Sequence, residues 1–336
     1  MTSMLQEIRH QRSQTSDAWP RPVTADLAYL RTAIVNVFFS GLPGAGDRDW
    51  VLIDAGLPGT AHSIADAAAR RFGPGARPSA IVMTHGHFDH VGALKELADK
   101  WDVPVFAHHL ELPYLTGRSP YAPADPTVGG GAMAALSWMY PRGPIDLGGR
   151  VRALPEDHSV PFMPGWRWIH TPGHTAGHVS FFRDGDKTLI AGDAFVTTKQ
   201  ASALAVLEQR KEIHGPPAYY TPDWVAARES IEELAALRPE IAATGHGVPM
   251  AGEELRTGLD ALLRNFDEVA YPAHGRYAQH PAIADENGLV SVPPEKPGLP
   301  PALVFGLGAG VVAGLTLAAL AGGRGCPSRF WSGQVL

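Results

Sequence analysis

The stretch Thr-His-Gly-His-Phe-Asp-His at residues 84–90 decides the fold prediction, because it places four metal-binding side chains within six positions. It lies directly after an apolar run that predicts a strand and directly before the start of a predicted helix. Side chains two apart in an extended segment share a face, so His85 and His87 can bind one ion together. Asp89 and His90 fall at the turn and point elsewhere, so they are available to a second ion. Imidazole and carboxylate donors together suit zinc and its first-row neighbours.

Further candidate donors lie at or near the ends of short hydrophobic runs farther along the chain. His174 lies in Pro-Gly-His-Thr-Ala-Gly-His, Asp193 follows Leu-Ile-Ala-Gly, and His246 is the centre of Gly-His-Gly. Upstream, Asp54 follows Trp-Val-Leu-Ile in the same manner. A strand end holds a side chain rigidly while leaving it accessible to a ligand. We therefore expect these residues to converge at one edge of a sheet.

Taken together, these motifs resemble the metallo-β-lactamase superfamily over roughly residues 30–270. The resemblance implies an α/β fold, the four-layer αββα sandwich of two mixed sheets with outer helices. The order of predicted elements agrees, since paired strands come first and strands alternating with helices follow. Residues 33–39 and 50–53 predict the first hairpin.

The resemblance also implies seven metal ligands in two groups that share one bridging carboxylate. The first group is His85, His87 and His174, the second is Asp89, His90 and His246, and Asp193 bridges them. Asp89 counts as a catalytic residue as well as a ligand. Asp54 matches the first motif of the family, where a carboxylate orients the ligands from outside the metal shell and thereby assists catalysis.

The resemblance implies a metal-dependent hydrolase that cleaves an ester, thioester or lactone of a small molecule. Two divalent ions that share Asp193 can share a hydroxide that attacks the carbonyl carbon. Asp193 stands where antibiotic-destroying members commonly carry cysteine, and His90 is often lacking in them, so the chain is more similar to glyoxalase II-like enzymes and lactonases. Zinc is the first choice of metal, with manganese and iron as alternatives. Two alternative functions are a mononuclear iron oxidoreductase similar to persulfide dioxygenases and a metal-binding protein without turnover.

Several other residues are assigned lesser roles. We expect His178 to be structural, and Tyr219 and Tyr220 to be within reach of the cleft. Thr221 is the predicted cap of the following helix. Residues 111–150, rich in glycine, proline and aromatic residues, are interpreted as a lid-like insertion over the metal site.

Composition narrows the function classes. The net charge of −6 and the lack of a long basic run argue against a nucleic-acid partner. A single cysteine, Cys326, leaves no intramolecular disulfide framework. The polar N-terminus does not read as a secretory signal, so we expect a cytoplasmic catalytic domain.

The predicted organisation divides the chain into five parts. These are a polar arm (1–28), the catalytic domain (29–285), a proline-rich linker (286–301), an uncharged run of membrane-spanning length (302–321) and a tail (322–336). The uncharged run is a candidate membrane anchor, since about 20 apolar residues span a bilayer as a helix. Its orientation, the substrate and the oligomeric state are left open by the sequence.

Overall fold

The computed structural model describes residues 19–294. The predicted membrane anchor at 302–321, the tail, and residues 1–18 of the arm lie outside this range. Within residues 19–294, no helix has the length and hydropathy needed to cross a bilayer.

The first sheet has seven strands in the described part of the chain, and they follow one another in sequence order. The strands are β1 (Arg21–Pro22), β2 (Leu27–Thr32), β3 (Val35–Ser40), β4 (Val51–Ile53), β5 (Ala80–Val82), β6 (Val105–Ala107) and β7 (Val151–Ala153). Strands β1 to β4 pair antiparallel and β4 to β7 pair parallel, so the sheet is mixed. The β3–β4 pairing confirms the predicted hairpin.

The second sheet has five strands in the same part of the chain, in the order β12-β11-β10-β9-β8. They are β8 (Trp166–His170), β9 (Val179–Arg183), β10 (Thr188–Gly192), β11 (Ile241–Thr244) and β12 (Met250–Ala251). Strands β10 and β11 are parallel, and the other pairs are antiparallel. A separate hairpin joins β13 (Ile283–Asp285) to β14 (Gly288–Ser291).

The described helices connect and cover these sheets. They are α1 (Ala61–Phe72), α2 (Phe88–Val91), α3 (Leu94–Trp101), α4 (Leu112–Leu115), α5 (Ala132–Ala135), α6 (Ala203–Glu208), α7 (Trp224–Ala236), α8 (Gly252–Arg264) and α9 (Phe266–Val269). Short 3-10 turns lie at His109–Glu111, Pro126–Val128, Ser137–Met139, Gly148–Arg150 and Ala218–Tyr220.

Three apolar layers hold the fold together. Between the sheets, Phe38 and Ile53 of the first sheet pack in one cluster with Phe181 and Ile190 of the second. Successive strand residues face opposite ways, so neighbouring Phe39 turns outward instead and packs against the helices.

Each sheet also has a helical layer on its outer side. Ile64 of α1 and Leu97 of α3 share a cluster with the first sheet, while Ile231 of α7 and Leu259 of α8 share one with the second. The order of layers is therefore helix, sheet, sheet, helix, which confirms the predicted αββα sandwich.

Two predicted boundaries are wrong. Residues 21–28, assigned to the polar arm, supply β1 and the start of β2, and Leu27 is fully buried. Residues 286–291, assigned to the linker, contain β14 instead. Both segments gain their order from pairing with a partner strand, which the polar composition of their surroundings does not reveal.

Trp50 gives a test of the outer layer of the first sheet. Its ring is stacked on Phe72 at 4.4 Å between centroids and meets Trp101 edge-on at 5.7 Å. Because the indole is fully enclosed, we expect Trp50→Ala to lower the free energy of unfolding by about 3–5 kcal/mol, measured by urea denaturation. The matched control is Trp138→Ala, since Trp138 is 59% exposed. That change is expected to stay within about 0.5 kcal/mol, and equal losses for both variants would contradict the packing account.

Candidate metal centre

The first four donors lie on the loop that leaves β5 and enters α2. His85 and His87 precede the short helix, and Asp89 and His90 lie within it. Because the chain turns between the two pairs, they face the same space from different directions. Asp89 and His90 are both buried although the helix has only four residues.

The other three donors come from the second sheet. His174 lies in the loop between β8 and β9, Asp193 follows β10 directly, and His246 is the second residue after β11. All seven predicted donors are buried, and Asp89 is the most exposed of them at 7%. The structure thus brings together every residue that the sequence predicted as a ligand.

The donor atoms form clusters small enough for an ion. Within each cluster, one nitrogen or oxygen atom per residue lies within 4.8 Å of the others. The clusters are His85 with His87 and His174, His85 with His90 and Asp193, and Asp89 with His90 and His246. The first and third are the two ligand groups that the family resemblance implies.

The Asp193 carboxylate lies between these groups. Its Oδ2 atom is 3.0 Å from Nε2 of His246 and 3.5 Å from Nε2 of His174. Its Oδ1 atom is 3.6 Å from Nε2 of His90, which is too long for a hydrogen bond. The Oδ2 atom of Asp193 therefore lies near donors of both groups, and its Oδ1 atom lies near a donor of the second group, so this carboxylate is within reach of both ligand sets.

The centre contains buried polar atoms without hydrogen-bond partners. They are Nε2 of His85, Nε2 of His90 and Oδ1 of Asp193. A buried polar atom left unpaired costs about 1–3 kcal/mol, so such atoms are rare unless a ligand satisfies them. Their nitrogen and oxygen chemistry fits divalent first-row ions.

Asp54 organises two of the histidines from behind. Its carboxylate accepts hydrogen bonds from the backbone N–H and the hydroxyl of Thr84, both at 2.8 Å, and from Nδ1 of His90 at 2.8 Å. Because the Thr84 hydroxyl donates to Asp54, it accepts from Nδ1 of His85, 3.1 Å away. Both imidazoles are thereby protonated on Nδ1 and present Nε2 to the centre.

A left-handed backbone turn places this carboxylate. Asp54 has a φ angle of 59°, a conformation that aspartate tolerates better than most residues. In this conformation the carboxylate reaches Thr84 and His90.

The remaining histidines are oriented by other partners. Thr221 donates its hydroxyl proton to the carbonyl of Pro217, so it accepts from Nδ1 of His174 at 3.2 Å. Nδ1 of His246 donates to the carbonyl of Ile34 at 2.7 Å. Thr221 is therefore not the cap of α7 as predicted. Asp223 takes that role and accepts from two backbone N–H groups of the helix.

Burial sets the charge of the histidines. It lowers the pKa of His87 to about 3, and the positive charge of nearby His90 lowers it further. Burial likewise holds the pKa of His85 and His174 well below the ordinary value. These three imidazoles are neutral at physiological pH, which is the form that binds metals.

His90 is affected in the opposite direction. Burial by itself lowers its pKa, but the carboxylates of Asp193 and Asp54 outweigh burial and raise the pKa well above the ordinary value. The carboxylates of Asp193 and Asp54 therefore favour a positive charge at the His90 ring.

Glycine is required beside the bridging carboxylate. A Cβ atom on Gly245 would lie 2.0 Å from Oδ1 of Asp193 and 2.8 Å from the His90 ring. Any larger residue would displace one of the two donors. This explains the glycine that precedes His246.

Glu111 is the functional residue that the sequence analysis missed. Its fully buried carboxylate accepts hydrogen bonds from the backbone N–H of Gly86 (2.9 Å), the backbone N–H of Gly177 (3.0 Å), the hydroxyl of Thr175 (2.7 Å) and the hydroxyl of Tyr121. Gly86 lies between His85 and His87, and Thr175 and Gly177 follow His174. Glu111 thus joins the loop of residues 84–90 to the loop of residues 171–178. No local motif marks it.

His178 has the structural role that was predicted for it. Its Nε2 atom accepts from the backbone N–H of Asp193 at 2.9 Å, and its Nδ1 atom lies 2.8 Å from the hydroxyl of Thr171. It therefore positions the bridging residue through the backbone.

Two cavities adjoin the donors. A narrow inner one is lined by Asp89, Asp193 and His246, and by aromatic residues that include Tyr219 and Tyr220. Met133 and Tyr140, from the predicted lid at 111–150, also line it. His87, His174 and Tyr220 face both this cavity and a larger outer one. The ring of Tyr220 is stacked on His87 at 4.5 Å.

Comparison with known proteins supports the same relationship. A profile described as "Metallo-beta-lactamase superfamily" matches residues 33–246. The "Probable metallo-hydrolase YflN" of Bacillus subtilis (strain 168) is 50% identical over 240 residues, which are 71% of this chain and 90% of that protein. The "Hydroxyacylglutathione hydrolase" of Xanthomonas axonopodis pv. citri (strain 306) is 30% identical over 150 residues, which are 44% of this chain and 43% of that protein.

A solved structure gives the same fold. A beta-lactamase domain protein from Burkholderia ambifaria superimposes with a TM-score of 0.52 at 18% sequence identity, covering 75% of this chain and 77% of that one. At this identity the similarity concerns the fold alone.

The first test of the centre is Asp54→Asn. The Asp54 carboxylate accepts from the backbone N–H and the hydroxyl of Thr84 and from Nδ1 of His90. An amide has a single acceptor oxygen, so at least one of these donors would face an N–H group. The orientation of the His90 ring, or of the His85 ring through Thr84, is then lost. Loss of an orienting partner typically lowers metal affinity about 10–100-fold. Competition with a chromophoric chelator measures this affinity. Unchanged affinity would contradict an orienting role for Asp54, and a circular dichroism spectrum like that of the wild type serves as the folding control.

The second test is Glu111→Gln. All four partners of this carboxylate are donors, so the amide N–H group introduces a repulsive contact between the two loops. We expect about 3 kcal/mol of lost stability in urea denaturation and about 10–100-fold weaker metal binding. Glu254→Gln, an exposed position at the start of α8, is the matched control for the change in charge. Equal behaviour of the two variants would refute the role of Glu111 as a joint between loops.

Proposed function

Because the chain belongs to the metallo-β-lactamase superfamily, we propose that it is a metal-dependent hydrolase that cleaves an ester, thioester or lactone of a small molecule. The observation that carries this proposal is the pair of donor clusters that lie on either side of Asp193 and contain buried atoms without partners. A site for two ions needs both clusters and a shared carboxylate.

The residues that would hold the ions are those already described. His85, His87 and His174 would hold one, Asp89, His90 and His246 the other, with Asp193 between them. When bound, divalent ions supply Lewis acidity, which acidifies water to a pKa near ~7 and polarises a carbonyl oxygen.

The protein itself contributes orientation and a dry environment. The bonds from Asp54, Thr221 and the carbonyl of Ile34 hold imidazole rings at fixed angles, so little reorganisation is needed when charge develops on the substrate. The candidate donors are at most 7% exposed, and aromatic residues line the inner cavity beside them. Electrostatic interactions are stronger in such a site than in water.

The substrate bond is the finer part of the proposal. One relative is named as a hydroxyacylglutathione hydrolase, and it supports an acyl compound as substrate, although this chain matches less than half of that protein. No serine or cysteine nucleophile is needed for this chemistry. An ester, thioester or lactone presents the carbonyl group that such a centre polarises.

The number of donors separates this proposal from the two alternatives. A mononuclear iron enzyme needs one cluster, and a structural metal site needs neither Asp89 nor the partnerless oxygen of Asp193. Seven buried donors grouped around one carboxylate favour two ions and an active centre.

Metal removal tests the proposed function. We expect about two divalent ions per chain by elemental analysis, loss of hydrolysis of activated esters after chelation, and recovery when zinc or manganese is restored. As a control, the stability of the chelated protein is measured by urea denaturation. If the metal-free protein is still folded, the loss of hydrolysis is due to the missing ions and not to unfolding. One iron per chain with oxygen consumption would instead favour the oxygenase alternative.

A further inference from the structure

We propose, resting on the hydrolase function above, that the substrate carries an uncharged apolar acyl chain, which occupies the outer cavity beside His87 and His174. This cavity has a volume of about 370 Å³, within the range of small-molecule sites. Two of its wall residues are also candidate ligands of one ion. A chain in this space would therefore end at the metal centre.

The walls of the cavity are largely apolar. Rings of Tyr114, Tyr121 and Tyr277 line it together with small residues such as Ala226 of α7 and Ala282. Tyr114 and Tyr121 are stacked on each other at 3.9 Å, so they present one continuous aromatic surface. Such walls favour hydrocarbon over a polar group.

Four hydroxyl groups of these walls already have partners. The hydroxyl groups of Tyr121 and Thr175 donate to Glu111. The hydroxyl of Tyr220 donates to the carbonyl of Pro141, and that of Tyr277 donates to the carbonyl of Pro123. They are therefore committed to the protein, and they do not define a site for a polar substrate tail.

Charge on the walls also disfavours an anion. Among the described residues that line this cavity, none is lysine or arginine, and the one carboxylate is Asp223. Asp223 accepts from the backbone N–H groups of Val225 and Ala226 at 3.1 and 3.0 Å. An acyl chain ending in a carboxylate, or a glutathione moiety with its two carboxylates, would meet this negative charge with no lysine or arginine among the described lining residues.

One wall comes from a segment beyond the residues that the family profile matches. Strands β13 and β14 contribute Ile283, Ala284 and Leu289. The hairpin is attached to the domain by a bond from the backbone N–H of Leu289 to the hydroxyl of Ser119, and next to it the N–H of Ala282 bonds to the carbonyl of Pro222. This part of the apolar enclosure thus lies outside the residues that the profile matches, whereas the seven candidate metal ligands lie within them.

The experiment compares p-nitrophenyl esters with the same leaving group on the metal-loaded full-length protein. The acyl groups are acetyl, hexanoyl and adipoyl, the last having the length of hexanoyl with a terminal carboxylate. We expect kcat/KM to rise about fourfold for each buried methylene group and to fall at least about tenfold from hexanoyl to adipoyl. Equal or faster hydrolysis of the adipoyl ester, or no dependence on chain length, overturns the proposal.

A substitution in the cavity wall tests whether the acyl chain of the substrate lies in the outer cavity. Ala226→Phe fills the outer cavity from α7, and it should lower kcat/KM for the hexanoyl ester at least about tenfold while leaving the acetyl ester within about twofold. Ala236→Phe, at the exposed end of the same helix, is the matched control and should change neither. An unaffected hexanoyl ester in Ala226→Phe contradicts the assignment.

A binding measurement separates this proposal from the hydrolase function. If none of the esters is hydrolysed, the proposed reaction fails, and saturation-transfer NMR with hexanamide and 6-amino-6-oxohexanoate then tests the cavity alone. Stronger saturation of hexanamide that is lost in Ala226→Phe supports the apolar site. Equal saturation of both amides overturns it.

Discussion

Buried lone pairs without hydrogen-bond partners are the constraint on which the rest of this structure depends. Imidazole nitrogens and a carboxylate oxygen face one another across a few ångströms, where each would otherwise be satisfied by water or by a protein donor. The fold maintains this costly arrangement by fixing the opposite edge of three of the rings, those of His90, His174 and His246. Asp54, Thr221 and the carbonyl of Ile34 do so through bonds of 2.7–3.2 Å. The result is a set of donors whose direction is decided before any ion arrives.

The two sheets supply these donors because strand ends are rigid and loops beyond them are free to carry chemistry. Two contacts hold the loops in register across the sandwich. Asn36 of the first sheet donates to the carbonyls of Thr244 and Gly247 at 2.9 and 2.7 Å, on either side of His246. Glu111 likewise joins the loops that carry His87 and His174 through its hydrogen bonds to Gly86, Thr175 and Gly177. A buried carboxylate that accepts four hydrogen bonds resists movement of either loop, since any shift leaves a donor unpaired.

The metal centre and the outer cavity are built from partly different segments of the chain. The donors and their orienting partners lie within the residues that the superfamily profile matches. The outer cavity is enclosed by residues 111–150, by the start of α7 and by the hairpin of β13 and β14. Tyr220 is shared by the metal centre and the outer cavity, since its ring is stacked on His87 and it lines both the inner and the outer cavity. Tyr220 therefore connects the outer cavity with a candidate metal ligand.

Through its resemblance to the superfamily, the sequence by itself predicted the seven candidate donors, Asp54 and the αββα sandwich, because the motifs that carry the resemblance are local in the chain. It did not reveal Glu111, whose partner Thr175 lies 64 positions away, nor the change of role at Thr221, which bonds to a histidine 47 positions away instead of capping α7. It also misplaced residues 21–28 and 286–291, whose strands exist only because a partner strand is beside them. Local patterns record which atoms can bind a metal. Only the tertiary structure decides which distant groups hold those atoms still and which surfaces enclose the substrate, because these depend on contacts that the linear spacing of residues does not contain.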